Sequence, residues 1–275
     1  MLAFASDSFL ILYMNIMNTS KVKPNGYRAP AVQKAFQILQ LVSSSNKGLS
    51  LSEIAKTLGF GKSSTFGLIH AMLENGLLNQ DPGTKKIFLG PTPVELSLLN
   101  WNYLKINKKA QPLLDNLRDK TGESVFLGAR SSDRALIIAA SDTKKPLKIS
   151  APPGESIPLL AGAVGKIFLS LMDDAQLVEL IRTKGLPRFT AHSITKETDY
   201  LSEIEKVRHK GYALDKEEFM SGVWGVAAGL KNFRGLPMGI WVVGFASAMD
   251  EDSINRIAEM IVPVSCKLRD ILDGS

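Results

Sequence analysis

The sequence predicts an α+β protein: an N-terminal winged helix-turn-helix, a linker helix, and a larger C-terminal domain around one sheet. Three observations predict it. Apolar side chains repeat at helical spacing before and after a very short connection, Gly59-Phe60-Gly61. Asp81-Pro82-Gly83-Thr84 is turn chemistry between two short runs of strand character. From Lys108 onward, strands joined by short turns lie among helical segments, the pattern of an α+β domain. The resulting boundaries are 1–30 for an extension and basic arm, 31–90 for the winged domain, 91–107 for the linker helix and 108–275 for the C-terminal domain.

Phe9 to Met14 is apolar but far shorter than the ~20 residues of a membrane span, and no basic segment precedes it. A signal peptide is not expected. The stretch reads either as sequence upstream of a true start at Met14 or Met17, or as a short helix that covers a dimer. Ser20 to Pro30 is a basic, irregular arm, suited to a minor groove or simply to a frayed lead-in. Ala31 to Ser44 is an amphipathic helix carrying Val32, Ala35, Phe36, Ile38, Leu39 and Val42.

Ser50 followed by Glu53 has capping-box spacing, and Leu51, Ile54, Ala55 and Leu58 form one apolar face. Gly59 ends that helix, because only Gly turns the chain with φ > 0 at no steric cost. The next helix runs from about Lys62 to Glu74, with Phe66, Leu68, Ile69, Met72 and Leu73 as its apolar set. Its first turn, Lys62-Ser63-Ser64-Thr65, is small and polar. Leu77 to Gln80 and Lys85 to Leu89 read as a hairpin with a basic return strand.

This arrangement presents hydroxyls, a lysine and free N–H groups to phosphates and base edges. Lys62, Ser63, Ser64 and Thr65 are the expected DNA contacts, with Lys85 and Lys86 on the wing. Between Ser20 and Gly90, nine basic residues face only Glu53, Glu74 and Asp81. That excess equals the net charge of the whole chain, +6, so the remainder is neutral. Concentrated positive charge is the footprint of phosphate binding. The other reading is a helical module that contacts protein, with its charges merely solvated.

Pro91 and Pro93 break the chain, and Val94 to Asn107 reads as a linker helix apolar on more than one face. Ala110 to Lys120 is a helix. Ser124 to Ala129 and Ala135 to Ala140 are strands around a hairpin turn, and Leu147 to Ala151 reads as another strand. Helices follow at Leu160 to Met172, Asp173 to Lys184 and Tyr200 to His209. Tyr212 to Asp215, Val226 to Leu230 and Met238 to Ala246 supply the last strands, and Asp250 to Leu272 the closing helix.

The single cysteine, Cys266, excludes an internal disulfide and fits the reducing cytoplasm. His70, His192 and His209 have no ligand-like spacing, so no metal is expected. Gly162-Ala163-Val164-Gly165-Lys166 is not a phosphate loop, since Leu160 stands where Gly is needed and Ile167 where Ser or Thr is needed. Small residues that let a helix pack on the sheet explain the run better. Asp215, Glu217 and Glu218 read as a turn whose Asp caps N–H groups and whose glutamates are solvated. No Ser and His share a nucleophile motif, and neither an enzyme nor a cofactor is expected.

The stretch AVQKAFQILQLVSSSNKGLSLSEIAKTLGFGKSSTFGLIHAMLENGLL resembles the DNA-binding domain of the IclR family of bacterial transcriptional regulators. The segments Gly154 to Leu159 with Gly165-Lys166, Phe189-Thr190 with Ile194-Thr195, and Gly211 to Asp215 with Glu217 to Phe219 resemble that family's GAF-like effector-binding domain. The resemblance spans Ala31 to Leu272. It implies a DNA operator, a small-molecule effector, and a homodimer or homotetramer paired through the linker helix. It places the effector against Leu127, Leu160, Ala161, Gly162, Asp215, Trp224, Gly225, Trp241 and Val243. Two departures matter. Gly67 stands where the family usually has Arg, which implies altered operator choice or weaker affinity. Gly225, Trp241, Val243 and Leu160 stand where carboxylate-binding members offer Cys, two Ser and His. A buried carboxylate without donors costs several kcal/mol. The effector is therefore expected to be apolar or aromatic, unless these side chains simply fill the cavity.

Overall fold

The computed structural model describes residues 29–100, 103–233 and 236–273. The N-terminal extension, the basic arm up to Arg28 and the turn residues Arg234 and Gly235 lie outside the described residues. The chain divides into two units, one ending at Leu104 and the other beginning at Lys105.

In the first unit, α1 (Pro30–Ser43), α2 (Leu51–Leu58) and α3 (Lys62–Glu74) precede a hairpin of β1 (Leu78–Gln80) and β2 (Ile87–Leu89), and α4 (Thr92–Asn100) follows. Ser50 Oγ accepts from the Glu53 N–H at 3.3 Å, and the Glu53 carboxylate accepts from the Ser50 N–H at 2.7 Å. This capping box holds the Glu53 carboxyl below its ordinary range, chiefly through the Ser50 backbone bond. Gly59 ends α2 at φ 67°. Ile38, Val42, Ile54, Ile69, Met72, Leu78 and Ile87 close into one core, each fully buried side chain stabilising by roughly 1.5–3 kcal/mol. Leu49 pairs with Ile87 as an isolated antiparallel bridge on the other side of β2.

In the second unit, α5 (Tyr103–Thr121) leads to a six-stranded sheet. The strands are β3 (Ser124–Ser131), β4 (Arg134–Ser141), β5 (Ser156–Pro158), β6 (Tyr212–Lys216), β7 (Val223–Phe233) and β8 (Leu236–Phe245). Their order is β5-β4-β3-β8-β7-β6, and every neighbouring pair is antiparallel. Helices α6 (Gly162–Ser170), α7 (Asp174–Lys184) and α8 (Glu197–Lys210) bury one face, packing on Phe126, Ala135, Ile137, Ala213, Ala227 and Trp241. Helix α9 (Glu251–Asp273) packs on β7 and β8. The small residues of α6 explain its close approach: a Cβ on Gly165 would collide with the Leu159 carbonyl.

Three expectations change. Leu147 to Ala151 is not a strand. Pro146, Pro152 and Pro153 flank it and remove ladder donors, and the free edge of β4 is taken by Ser156–Pro158. Asn107 is not a boundary, because α5 runs through it from Tyr103 to Thr121. Lys85 and Lys86 stand in the wing turn, not in the return strand, which begins at Ile87.

Candidate functional site

The exposed face of α3 carries Lys62, Ser63 and Ser64 in its first turn. No side chain caps the N-terminus of α3, where Gly61 precedes Lys62, so the first N–H groups remain available to an anion. Thr65 is a correction to the expected contacts. It is fully buried, and its hydroxyl donates to the Gly61 carbonyl at 3.0 Å. The reason is helical phase: Thr65, Ile69 and Met72 form the inward stripe. Phe66, expected inside, is the second correction, with 60% of its surface exposed. Its neighbours along this face are Gly67, His70 and Ala71, all exposed.

The wing turn is built by Asp81, whose carboxylate accepts from the Thr84 N–H at 2.6 Å and the Thr84 hydroxyl at 2.7 Å. Those bonds hold its carboxyl below the ordinary range. Lys85 takes φ 58° to leave the turn and is exposed. Lys86 is half-buried and close enough to Glu53 to favour its ionised form.

In the C-terminal unit, strand alternation sorts the expected effector residues. Asp215, Gly225 and Val243 lie side by side on β6, β7 and β8. They belong to the α6 face, where a Cβ on Gly162 would stand 2.5 Å from Asp215 Oδ2. Trp241 is also on this face, stacked on Phe126 with ring centroids 5.7 Å apart. Its ring reaches over Gly128, where a Cβ would stand 2.7 Å from the indole Cη2. Leu127 and Trp224 are corrections. Leu127 follows Phe126 and precedes Gly128, so it faces away from that surface and pairs with Ile240. Trp224 precedes Gly225 and likewise points away, under the Lys216 ammonium at 5.5 Å from its ring. Ala161 is fully buried ahead of α6.

Beside this row lies a recess lined by Leu160, Gly162, Lys166, Phe189, Tyr200 and Glu218, among others. Of the expected effector residues, only Leu160 and Gly162 line it. Its volume is about 10 Å³, the room of a single water molecule. Sequence reading missed its charged members. Lys166 is 1% exposed and donates to Glu218 Oε1 at 2.5 Å and to the Leu214 carbonyl at 2.8 Å. Glu203 stands 3.8 Å from the same ammonium. Burial pushes the Asp215 carboxyl up, against the Glu218 N–H it accepts from at 2.7 Å. Burial also pushes the Glu218 carboxyl up, partly offset by Lys166. The Tyr200 phenol is raised by burial and by the neighbouring Glu218 and Glu203 carboxylates. Asp215 thus caps the turn as expected, but Glu218 is an ion-pair partner and not a solvated side chain. Thr190 and Ser193 hydroxyls donate to the Glu217 and Glu218 carbonyls at 2.6 and 2.7 Å, tying the preceding loop over this turn.

Among the described residues, no helix is long and apolar enough to cross a membrane. The pattern described as "IclR helix-turn-helix domain" matches residues 31–82, and "Bacterial transcriptional regulator IclR C-terminal" matches residues 101–268. The chain is 28% identical to the HTH-type transcriptional regulator BhcR of Paracoccus denitrificans, over 86% of this chain and 85% of that protein. It is 27% identical to the transcriptional repressor IclR of Escherichia coli, over 87% and 91%. An IclR regulator structure from Alicyclobacillus acidocaldarius superposes with a TM-score of 0.72 at 25% identity, covering 89% of this chain and 99% of that one. An IclR homolog complexed with 4-hydroxybenzoate, from Microbacterium hydrocarbonoxydans, shares the fold at 15% identity and a TM-score of 0.72, covering 89% and 100%. A helix-turn-helix whose second helix has an open N-terminus, a hairpin wing and an antiparallel-sheet domain therefore have one common account. The chain belongs to the IclR family of bacterial transcriptional regulators, DNA-binding proteins with an effector domain and not enzymes.

Proposed function

We propose that this protein is a cytoplasmic, ligand-responsive regulator that lays the first turn of α3 in the major groove of operator DNA. Lys62, Ser63 and Ser64 make the contacts, and Lys85 and Lys86 lie along the adjacent phosphates. The observation that carries this reading is the exposed, uncapped N-terminus of α3, in a unit whose wing also carries an exposed lysine, Lys85. Two copies pair, as a homodimer or within a homotetramer, so that two reading heads match half-sites about one helical turn apart. Exposed Val94 and Leu96 on α4 support pairing, since both are more than half exposed. Binding to random duplex is expected to weaken steeply with salt. Lys85→Ala should weaken binding to all sequences alike and lower the slope of log K against log salt by about 0.9. A titration with unchanged slope removes the wing from the interface; no salt-dependent binding at all favours a protein-contacting module.

The effector, in this reading, is apolar or aromatic. The row Gly225, Trp241 and Val243 offers it no hydroxyl, thiol or cation, only the indole N–H of Trp241, and buried Asp215 repels a carboxylate. The same packing favours a second reading, because Trp241 is 5% exposed and the adjoining recess has room for one water. In that reading the site is closed by its own side chains. Thermal unfolding with a panel of ligands separates the two. Stabilisation by aromatics and not by glyoxylate or pyruvate supports an apolar effector, no stabilisation by either supports the closed site, and stabilisation by the oxoacids overturns both.

A further inference from the structure

We propose that Phe66 is a base-reading residue whose ring seats against the C5 methyl group of a thymine in the major groove. The proposal rests on the reading that the exposed face of α3 meets DNA. Phe66 lies one turn into that helix, about 6 Å along the axis from Lys62, within the part that such helices insert. It is 60% exposed, although Thr65 and Ile69 on the same helix are buried. In the free protein this large apolar ring stands on the outer face of the helix mostly in water, beside His70.

The composition of α3 narrows what that ring can recognise. From Lys62 to Glu74 there is no Arg, Asn or Gln, which leaves Lys62 as the one side chain of the kinds that pair bidentately with guanine or adenine edges. Lys62 sits in the first turn, and the remaining exposed groups are Ser63, Ser64, Gly67, His70, Ala71 and Glu74. His70 and Glu74 lie 3.4 Å apart and occupy each other. The base feature that an aromatic ring can select is the thymine methyl, which is an apolar knob on the groove floor. Gly67 makes the approach possible: a Cβ there would meet nothing within 4 Å, so the backbone beside Phe66 is bare. His70 leans on the ring, with centroids 6.1 Å apart and planes at 39°, and limits its swing.

The test uses the full chain. Operators are selected from random duplexes, and each thymine of the selected sequence is then replaced by deoxyuridine, which lacks the methyl group. At one or two positions in each half-site, the replacement should weaken the parent protein about fourfold, the effect of removing one methyl from an apolar contact. Phe66→Ala should bind the thymine and uracil duplexes equally and keep the parent salt slope, while Phe66→Leu retains part of the preference. Salt-dependent binding of the parent with no thymine–uracil difference at any position overturns the role of Phe66 alone. Discrimination that survives Phe66→Ala does the same, as does a Phe66→Ala variant that changes only the oligomeric state in sedimentation, which would make the ring a contact between copies. Absence of salt-dependent binding by the parent sinks the DNA-facing reading itself.

Discussion

Lys166→Met should lower stability by about 3–5 kcal/mol, the loss expected when one partner of a buried ion pair is removed. For a domain of this size that is on the order of 10 °C in unfolding temperature. The methionine fills much of the same volume, so the loss is electrostatic. The ammonium is 1% exposed and holds Glu218 at 2.5 Å and the Leu214 carbonyl at 2.8 Å. Without it, Glu218 and Asp215 are buried carboxyls with no cation. Burial already holds both above their ordinary values. A carboxyl raised by folding contributes stability that is fully present below its unfolded pKa, about 4, and is lost as pH rises through its folded pKa. The variant removes the cation that opposes this rise, so its deficit should be small in mild acid and grow toward pH 8. Lys166→Met with Glu218→Gln should recover part of the loss. Urea unfolding at several pH values reads both effects. A single variant within 1 kcal/mol of the parent at neutral pH, or a deficit independent of pH, contradicts the account.

Trp241→Ala should cost about 3–5 kcal/mol, as for other buried aromatics truncated to Ala. It should also open a cavity against the α6 face of the sheet. Trp241 is 5% exposed, stacks on Phe126 and covers Gly128. The void would lie toward β3, walled by Phe126 and Gly128, two strands from Asp215. Free indole should bind there and raise the unfolding temperature of the variant but not of the parent, by the usual linkage of ligand binding to stability. Such a result shows that this face accepts an aromatic once its own tryptophan is gone, the geometry that an aromatic effector needs. If indole stabilises neither protein, the face collapses on truncation and offers no pocket. If truncation costs under 1 kcal/mol, the indole was not packed as described.

The two units differ in how much of them could be read from residues close in sequence. Ser50 and Glu53 are three residues apart, and their reciprocal bonds need nothing beyond the local turn. Gly59 takes φ 67° in the same local sense, and Asp81 folds the wing through Thr84. The helix-turn-helix was legible for that reason. Its inward face was legible only in part: Thr65 and Phe66 exchange their expected places, because a 13-residue helix with mixed composition has a weak apolar stripe and packing on α2, α1 and β1 fixes its rotation.

Three further decisions belong to the tertiary structure. Leu127 and Trp224 lie beside Phe126 and Gly225 in sequence but on the opposite face of the sheet. Strands buried on both faces carry apolar side chains throughout, so period two leaves no mark in their composition. Lys166 follows Gly165 in a small-residue helix, and its partners Leu214 and Glu218 are 48 and 52 residues away. By itself the sequence determined most of the elements, their caps and turns, the concentration of positive charge in the N-terminal part of the chain, and the lack of hydroxyls and thiols at Gly225, Trp241 and Val243. Folding alone decided which side of each strand faces the effector row, which lysine is drawn inside, and which ring is left in solvent. The first set depends on bonds within a few residues; the second depends on which surfaces are removed from water together, and that is settled between segments far apart in the chain.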